Sequence, residues 1–135
     1  MRQLLAEKYR PKTLDEYVFS DESVERTVRK WFKQKSVPNV LLSGIQGTGK
    51  SSLAKLIVSM LDVSPSDVKY VNAAMKGVDF FRADLTDWMQ KASFSDVKVV
   101  YLEEMNRLRE DAQKCLLELT EAYSDRVRFI ATTNY

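Results

Sequence analysis

Eight residues constrain this chain more than any others. "GIQGTGKS" (44–51) matches the pattern G-x-x-x-x-G-K-S. The apolar run "NVLLSG" (39–44) before it reads as a short strand. "KSSLAKLIVSMLD" after it places Leu53, Leu56, Ile57, Met60 and Leu61 on one helical face. A glycine-rich turn that feeds a strand into a helix aims backbone N–H groups outward at the positive end of the helix dipole. In that setting the N–H groups of Gly47 to Ser51 point at phosphate oxygens. Gly47 and Gly49 have no Cβ, so the backbone can approach closely. Lys50 reaches the β and γ phosphates, and the Ser51 hydroxyl ligates Mg²⁺. An ordinary glycine-rich strand–helix turn is the plainer reading, and the strand–loop–helix context weighs against it.

The remaining pattern extends the alternation. Residues 1–20 read as an extended arm with a turn at "YRPKT". Ser20 or Asp21 caps a helix whose apolar stripe is Val24, Val28, Trp31 and Phe32. "VKYVN" (68–72), "VKVVYLEE" (97–104) and "VRFIATTN" (127–134) read as further strands. The second of these is apolar on both faces, which suits the interior of a parallel sheet. Between them lie a helix with Phe81, Leu85 and Trp88 inward and another with Ala112, Cys115, Leu116 and Leu119 inward. Strand and helix alternate as in a doubly wound α/β sheet.

Ligands of such sheets bind at the carboxyl ends of the strands. Glu103 and Glu104 stand at one such end, and Thr132, Thr133 and Asn134 at another. By position Glu103 is the metal-side acid and Glu104 the base that polarises an attacking water. Two acids ending a strand are a weak signal alone and a strong one beside the loop. Asn134 either orients water near the γ phosphate or starts a turn.

Composition narrows the classes. A chain of 135 residues with 44% hydrophobic and 30% charged residues is one soluble domain at most. The net charge of +2 neither demands nor excludes nucleic acid. Without histidine there is no imidazole acid–base chemistry, and most zinc sites are excluded. The one cysteine, Cys115, cannot form an internal disulfide, which fits a reducing cytoplasm, and it reads as a small buried hydrophobe. No apolar run approaches the roughly 18 residues of a membrane span, so no membrane partner is expected. Lys76, Arg82 and Lys91 read as a solvated face, with DNA contact as the alternative; Phe94 and Trp88 read as core, with contact to a partner as the alternative.

These stretches, in this order, resemble a clamp-loader-type AAA+ ATPase. "LAEKYRPKTLDEYV" (5–18) is similar to the N-terminal box of clamp loaders, the replication factor C small subunits included; "LTDWMQKASF" and "EAYSDRVRFIATTNY" continue the likeness. Residues 79–94 look closest to tailed-phage clamp loaders. The resemblance implies a phosphate-loop NTPase fold, a three-layer α/β/α arrangement of AAA+ type with strand order 5-1-4-3-2, here lacking the fifth strand and the helical lid. It divides the chain into an arm (1–20) contacting nucleotide and a truncated core (21–135). Lys8, Tyr9 and Val18 would border adenine and ribose. Gly47, Thr48, Gly49, Lys50, Ser51 and Ser52 would hold the phosphates of ATP, with Ser51 and Glu103 toward Mg²⁺. Glu104 would be the catalytic base and Asn134 the first nucleotide sensor. The implied function is ATP hydrolysis that loads a sliding clamp on primer-template DNA with other clamp-loader subunits, in the cytoplasm, or the infected bacterial cytoplasm if phage-encoded. The alternatives are a non-catalytic interaction subunit of the same fold, or another AAA+ role such as helicase loading.

Three departures bear on that reading. Glu103 stands where the family usually has Asp, and Mg²⁺ tolerates little distortion of its octahedron. Leu117 stands where the family usually carries Arg. The family's arginine finger, fifth strand, lid and collar lie beyond the region matched. An arginine finger contributes about 10³–10⁵ in rate, so hydrolysis by these residues alone is expected to be slow. The edge of "NVLLS" is expected to be unpaired, in a fragment of a longer ATPase or in a small subunit that docks there.

Overall fold

A computed structural model describes residues 13–45 and 49–134. Lys8, Tyr9, Gly47 and Thr48 lie outside the described residues. Where an extended arm was expected, Leu14–Glu16 forms a single 3₁₀ turn. The Tyr17 N–H bonds the Leu14 carbonyl at 3.1 Å to close it. Helix α1 (Glu22–Gln34) begins at the Asp21 cap, whose carboxylate accepts from the N–H of Ser23 at 2.8 Å and of Val24 at 3.4 Å. The bonds from Ser23 hold that carboxyl below its ordinary pKa. The helix buries Val28, with Trp31 and Phe32 half-buried, while Val24 at its open end is exposed.

Strand β1 (Val40–Gly44) leads to α2 (Lys50–Leu61), then β2 (Val68–Asn72). A π-helical stretch, Phe80–Leu85, runs into α3 (Thr86–Gln90), followed by β3 (Lys98–Glu103), α4 (Glu110–Ala122) and β4 (Val127–Asn134). The described strands form one sheet in the order β1-β4-β3-β2, every pairing parallel. After β1 the chain therefore crosses to the far edge and walks back through β3 to β4. The walk ends with β4 beside β1. This is the order that the resemblance implied.

Each sheet face carries its own core. Leu53, Ala54, Ile57 and Val58 of α2, with Val28 of α1, pack on Val99, Tyr101 and Ile130. Phe81, Leu85 and Met89, with Leu116 and Leu119 of α4, pack on Val100, Leu102, Phe129 and Ala131. Alternate residues of β3 serve opposite faces, which is why its sequence lacks alternation. The architecture is three layers, α/β/α.

Two details differ from the pattern reading. Met89, not Trp88, completes the inward row of the third helix. The π-helical turn is the reason: its i→i+5 bonds widen the turn, so residues four apart stay on one face. The Thr86 hydroxyl bonds the Phe81 carbonyl at 2.8 Å across that turn. Trp88 instead covers Lys98, whose ammonium lies 4.5 Å from the indole centroid and donates to the Trp88 carbonyl. Lys98 is therefore a buried cation inside the apolar strand, and burial lowers its pKa. Phe94, expected in the core, is 83% exposed on a loop whose N–H groups at Phe94 and Ser95 bond the buried Asp67 carboxylate at 3.0 and 2.7 Å.

These positions separate by stability. Ile57→Ala, at a fully buried site, is expected to cost about 2–5 kcal/mol. Leu117→Ala, at a site 60% exposed, is expected to stay within about 0.5 kcal/mol. Denaturant unfolding of the two variants checks this.

Candidate functional site

The carboxyl ends of β1, β4 and β3 lie side by side. The register pairs Gly44 with Asn134 and Leu102 with Ala131, so the loop strand, the sensor strand and the acid strand end at nearly one level. The amino end of α2 rises from the same place. Gly49 is its cap residue, with φ +84°, a conformation that L side chains rarely adopt. A Cβ built there would lie 3.4 Å from the Tyr17 ring. Tyr17 is braced in turn by Phe19, edge to face at 4.8 Å.

A cavity of about 310 Å³ opens between these ends, lined by Gly49, Lys50, Ser51, Ser52, Glu103, Glu104, Thr132 and Asn134. Seven of these eight were singled out from the sequence as site residues; Thr132 is the addition. A larger hollow of about 620 Å³ adjoins it through Lys50 and is lined by Tyr17, Val18, Phe19 and the end of β1. Val18, expected to border adenine and ribose, lines this hollow and is 88% exposed. Charged and hydroxyl-bearing residues line the first hollow, and aromatic and aliphatic side chains contribute more to the second.

Each charged group has a present partner. The Lys50 ammonium donates to the Ile45 carbonyl at 3.2 Å and so reaches back to the end of β1. The Glu104 backbone is left-handed at φ 58°, ψ 47°, a conformation that costs about 1–3 kcal/mol and collects at functional sites. Its N–H donates to Thr132 Oγ1 at 3.4 Å, and its carboxylate lies 3.8 Å from the Arg107 guanidinium. Glu104 therefore sits just past the strand, not within it as the pattern suggested. The Asn134 N–H donates to Asn106 Oδ1 at 3.0 Å, which ties β4 to the turn after the acids.

Glu103 faces α2. Its Oε1 accepts from the Tyr101 hydroxyl at 2.7 Å. Burial, and next the bond to Glu103, push the Tyr101 phenol far above its ordinary value, while the nearby Ser51 side chain pulls the other way. Among the described residues there is no cluster of three or more acids or cysteines able to hold a metal. One acid and one hydroxyl are nonetheless a fitting oxygen set for Mg²⁺, which takes one or two protein ligands and completes its shell with phosphates and water.

Asn106, Arg107, Tyr17 and Tyr101 escaped the sequence reading, whereas Thr132 was placed at a strand's carboxyl end without a role. Tyr101 alone carried a legible signal. It puts a hydroxyl two residues before Glu103, and so on the same strand face, in an otherwise apolar run.

The fold and this site define a phosphate-loop nucleotide-binding protein. The model of the ATPase family associated with various cellular activities (AAA) matches residues 40–135. The chain belongs to that family. The replication factor C small subunit of Sulfolobus acidocaldarius is 35% identical over 98% of this chain and 42% of its own length. That of Methanococcus maripaludis is 34% identical over 100% of this chain and 44% of its own. The chain thus spans about two fifths of these curated relatives. This supports a clamp-loader-type core. Among solved structures, the Thermotoga maritima RuvB Holliday junction branch migration motor superposes with a TM-score of 0.69 at 22% identity, over 93% of this chain and 42% of that one. A DNA polymerase III gamma subunit-related protein from Thermotoga maritima gives 0.64 at 15%, over 81% and 38%. At those identities the likeness concerns the fold.

Gly49→Ala tests the cradle. A side chain in the left-handed region costs about 1–2 kcal/mol, and this one would meet the Tyr17 ring at van der Waals contact. A lowered unfolding midpoint together with weaker ATP binding is expected in paired melting and calorimetry.

Proposed function

We propose that this chain is the nucleotide-binding core of a clamp-loader ATPase. It binds Mg²⁺–ATP between β1, β4 and β3. Together with other subunits, it couples hydrolysis to placing a sliding clamp on primer-template DNA in the cytoplasm. The carrying observation is the single cavity that gathers Lys50, Ser51, Glu103, Glu104 and Asn134, in a chain that aligns along nearly its whole length with replication factor C small subunits.

In this reading the N–H groups at the start of α2 and the Lys50 ammonium, released from Ile45, hold the phosphates. Ser51 and Glu103 would hold Mg²⁺, which would supply neutralising charge beside the phosphates. Glu104 leaves Arg107 and accepts the proton of the attacking water. Asn134 senses the γ phosphate. Val18, with Lys8 and Tyr9 of the 1–20 arm, borders the base. Phe94, exposed on its Asp67-pinned loop, offers an apolar contact for the clamp. Of the three cations considered for DNA, Lys91 pairs with Asp87 at 3.3 Å and Lys76 lies 4.8 Å from the centre of the Phe80 ring. DNA contact is therefore assigned to the assembly and not to this patch.

The assembly also accounts for the open edge. β1 has one strand neighbour among the described residues, and Leu41 on it is 52% exposed. Apolar hollows flank it on both faces, one lined by Val24 and Trp31, the other by Met105 and Leu116. Further chain or a neighbouring subunit would cover it. The described residues include no helix long and apolar enough to cross a membrane. A non-catalytic subunit is the less supported reading, because Lys50, Ser51 and Glu104 line one cavity.

ATP binding and turnover test the proposal. Lys50→Ala is expected to abolish measurable Mg²⁺–ATP binding. Glu104→Gln is expected to keep binding and lower turnover by about 10²–10⁴-fold. Turnover indifferent to Glu104→Gln would remove Glu104 as the base.

A further inference from the structure

The metal side of the site contains a group that no part of the motif supplies. Tyr101 is 2% exposed, in the middle of β3, facing α2. A buried hydroxyl must find partners or lose the hydrogen bonds it made to water. This one donates to Glu103 Oε1 at 2.7 Å. Glu103 is the acid assigned to Mg²⁺. On the edge-strand side the ring meets Tyr70, its partner in the register, at 5.5 Å between centroids.

Glu103 is one methylene longer than an aspartate, and its carboxylate gains both reach and rotamer freedom. Ordering a long acid costs entropy, and an acid that swings out cannot meet a metal shell of strict geometry. The phenol addresses both points. It holds the carboxylate on the strand face that packs against α2.

We infer that Tyr101 is the positioning residue of the metal side, its hydroxyl holding the Glu103 carboxylate so that a glutamate can serve at this position. The inference rests on the Mg²⁺–nucleotide reading. It makes Tyr101 and Glu103 a matched pair, and each should lose value without the other.

The test uses the whole chain with ADP and Mn²⁺ as probes. Metal affinity is read by the electron paramagnetic resonance of Mn²⁺ at saturating ADP, and metal-free ADP affinity by calorimetry in chelator. Tyr101→Phe keeps the ring and is expected to weaken Mn²⁺ binding about tenfold or more, as losses of outer-shell partners do, with metal-free ADP affinity unchanged within about twofold. Glu103→Asp, which keeps the phenol but withdraws the carboxylate from it, is expected to weaken Mn²⁺ binding to a similar degree. The double variant should be no weaker than either single, the signature of one coupled unit. Losses that add in the double variant, or a Tyr101→Phe protein with unaltered Mn²⁺ affinity, would overturn the inference. Should Tyr101→Phe fail to fold, unaltered Mn²⁺ affinity in Glu103→Asp would overturn it alone. ADP binding that Lys50→Ala leaves untouched would instead overturn the nucleotide reading and the inference with it.

Discussion

The parallel pairing of β4 with β1 on one side and β3 on the other is the contact on which the rest depends. It is long-range in sequence, and it sets the ends of three strands at one level. Without it the glycine loop and the paired acids would be two unrelated strand ends. With it, Thr132 and Asn134 fill the gap between them, and the amino end of α2 faces the acids across one cavity. The helices follow from the same arrangement. α1 and α2 cover one face and α3 and α4 the other, because the chain crosses the sheet once and then returns.

Much of this was legible because local chemistry and global topology agree. Val99 to Leu102 read as doubly buried and are. Ala112, Cys115, Leu116 and Leu119 read as one inward face and are. The Asp21 cap was visible as a cap. What escaped was set by less local forces. Trp88 looked inward because α-helical spacing was assumed, whereas a π turn shifts the face to Met89. Lys98 lay unremarked inside an apolar run, yet it is buried beneath an indole. Phe94 looked like core, yet it is held outward by a carboxylate far away in sequence, Asp67. None of these partners lies within reach of a periodicity argument.

At the site the motif residues were readable because their roles depend on backbone turns and strand ends. Their supporting residues were not. Tyr17 reaches Gly49, Asn106 holds the Asn134 N–H, and Arg107 leans on Glu104, all through tertiary placement. The Glu103 departure shows the difference in kind. From sequence it looked like a weakened or reshaped metal site. In the structure the same residue is engaged by a buried phenol beside Ser51. The departure and its neighbour two residues earlier therefore belong to one account.

The central claim is that the meeting of three strand ends with the α2 amino end is where nucleotide binds. Amide hydrogen exchange, followed with and without Mg²⁺–ATP, tests it most directly. Slowed exchange is predicted in the first turn of α2 and at the carboxyl ends of β3 and β4. The opposite end of the sheet, around Lys35, Asp62 and Asp96, should be unchanged. Protection absent from the first turn of α2, or concentrated at that opposite end, would contradict the account.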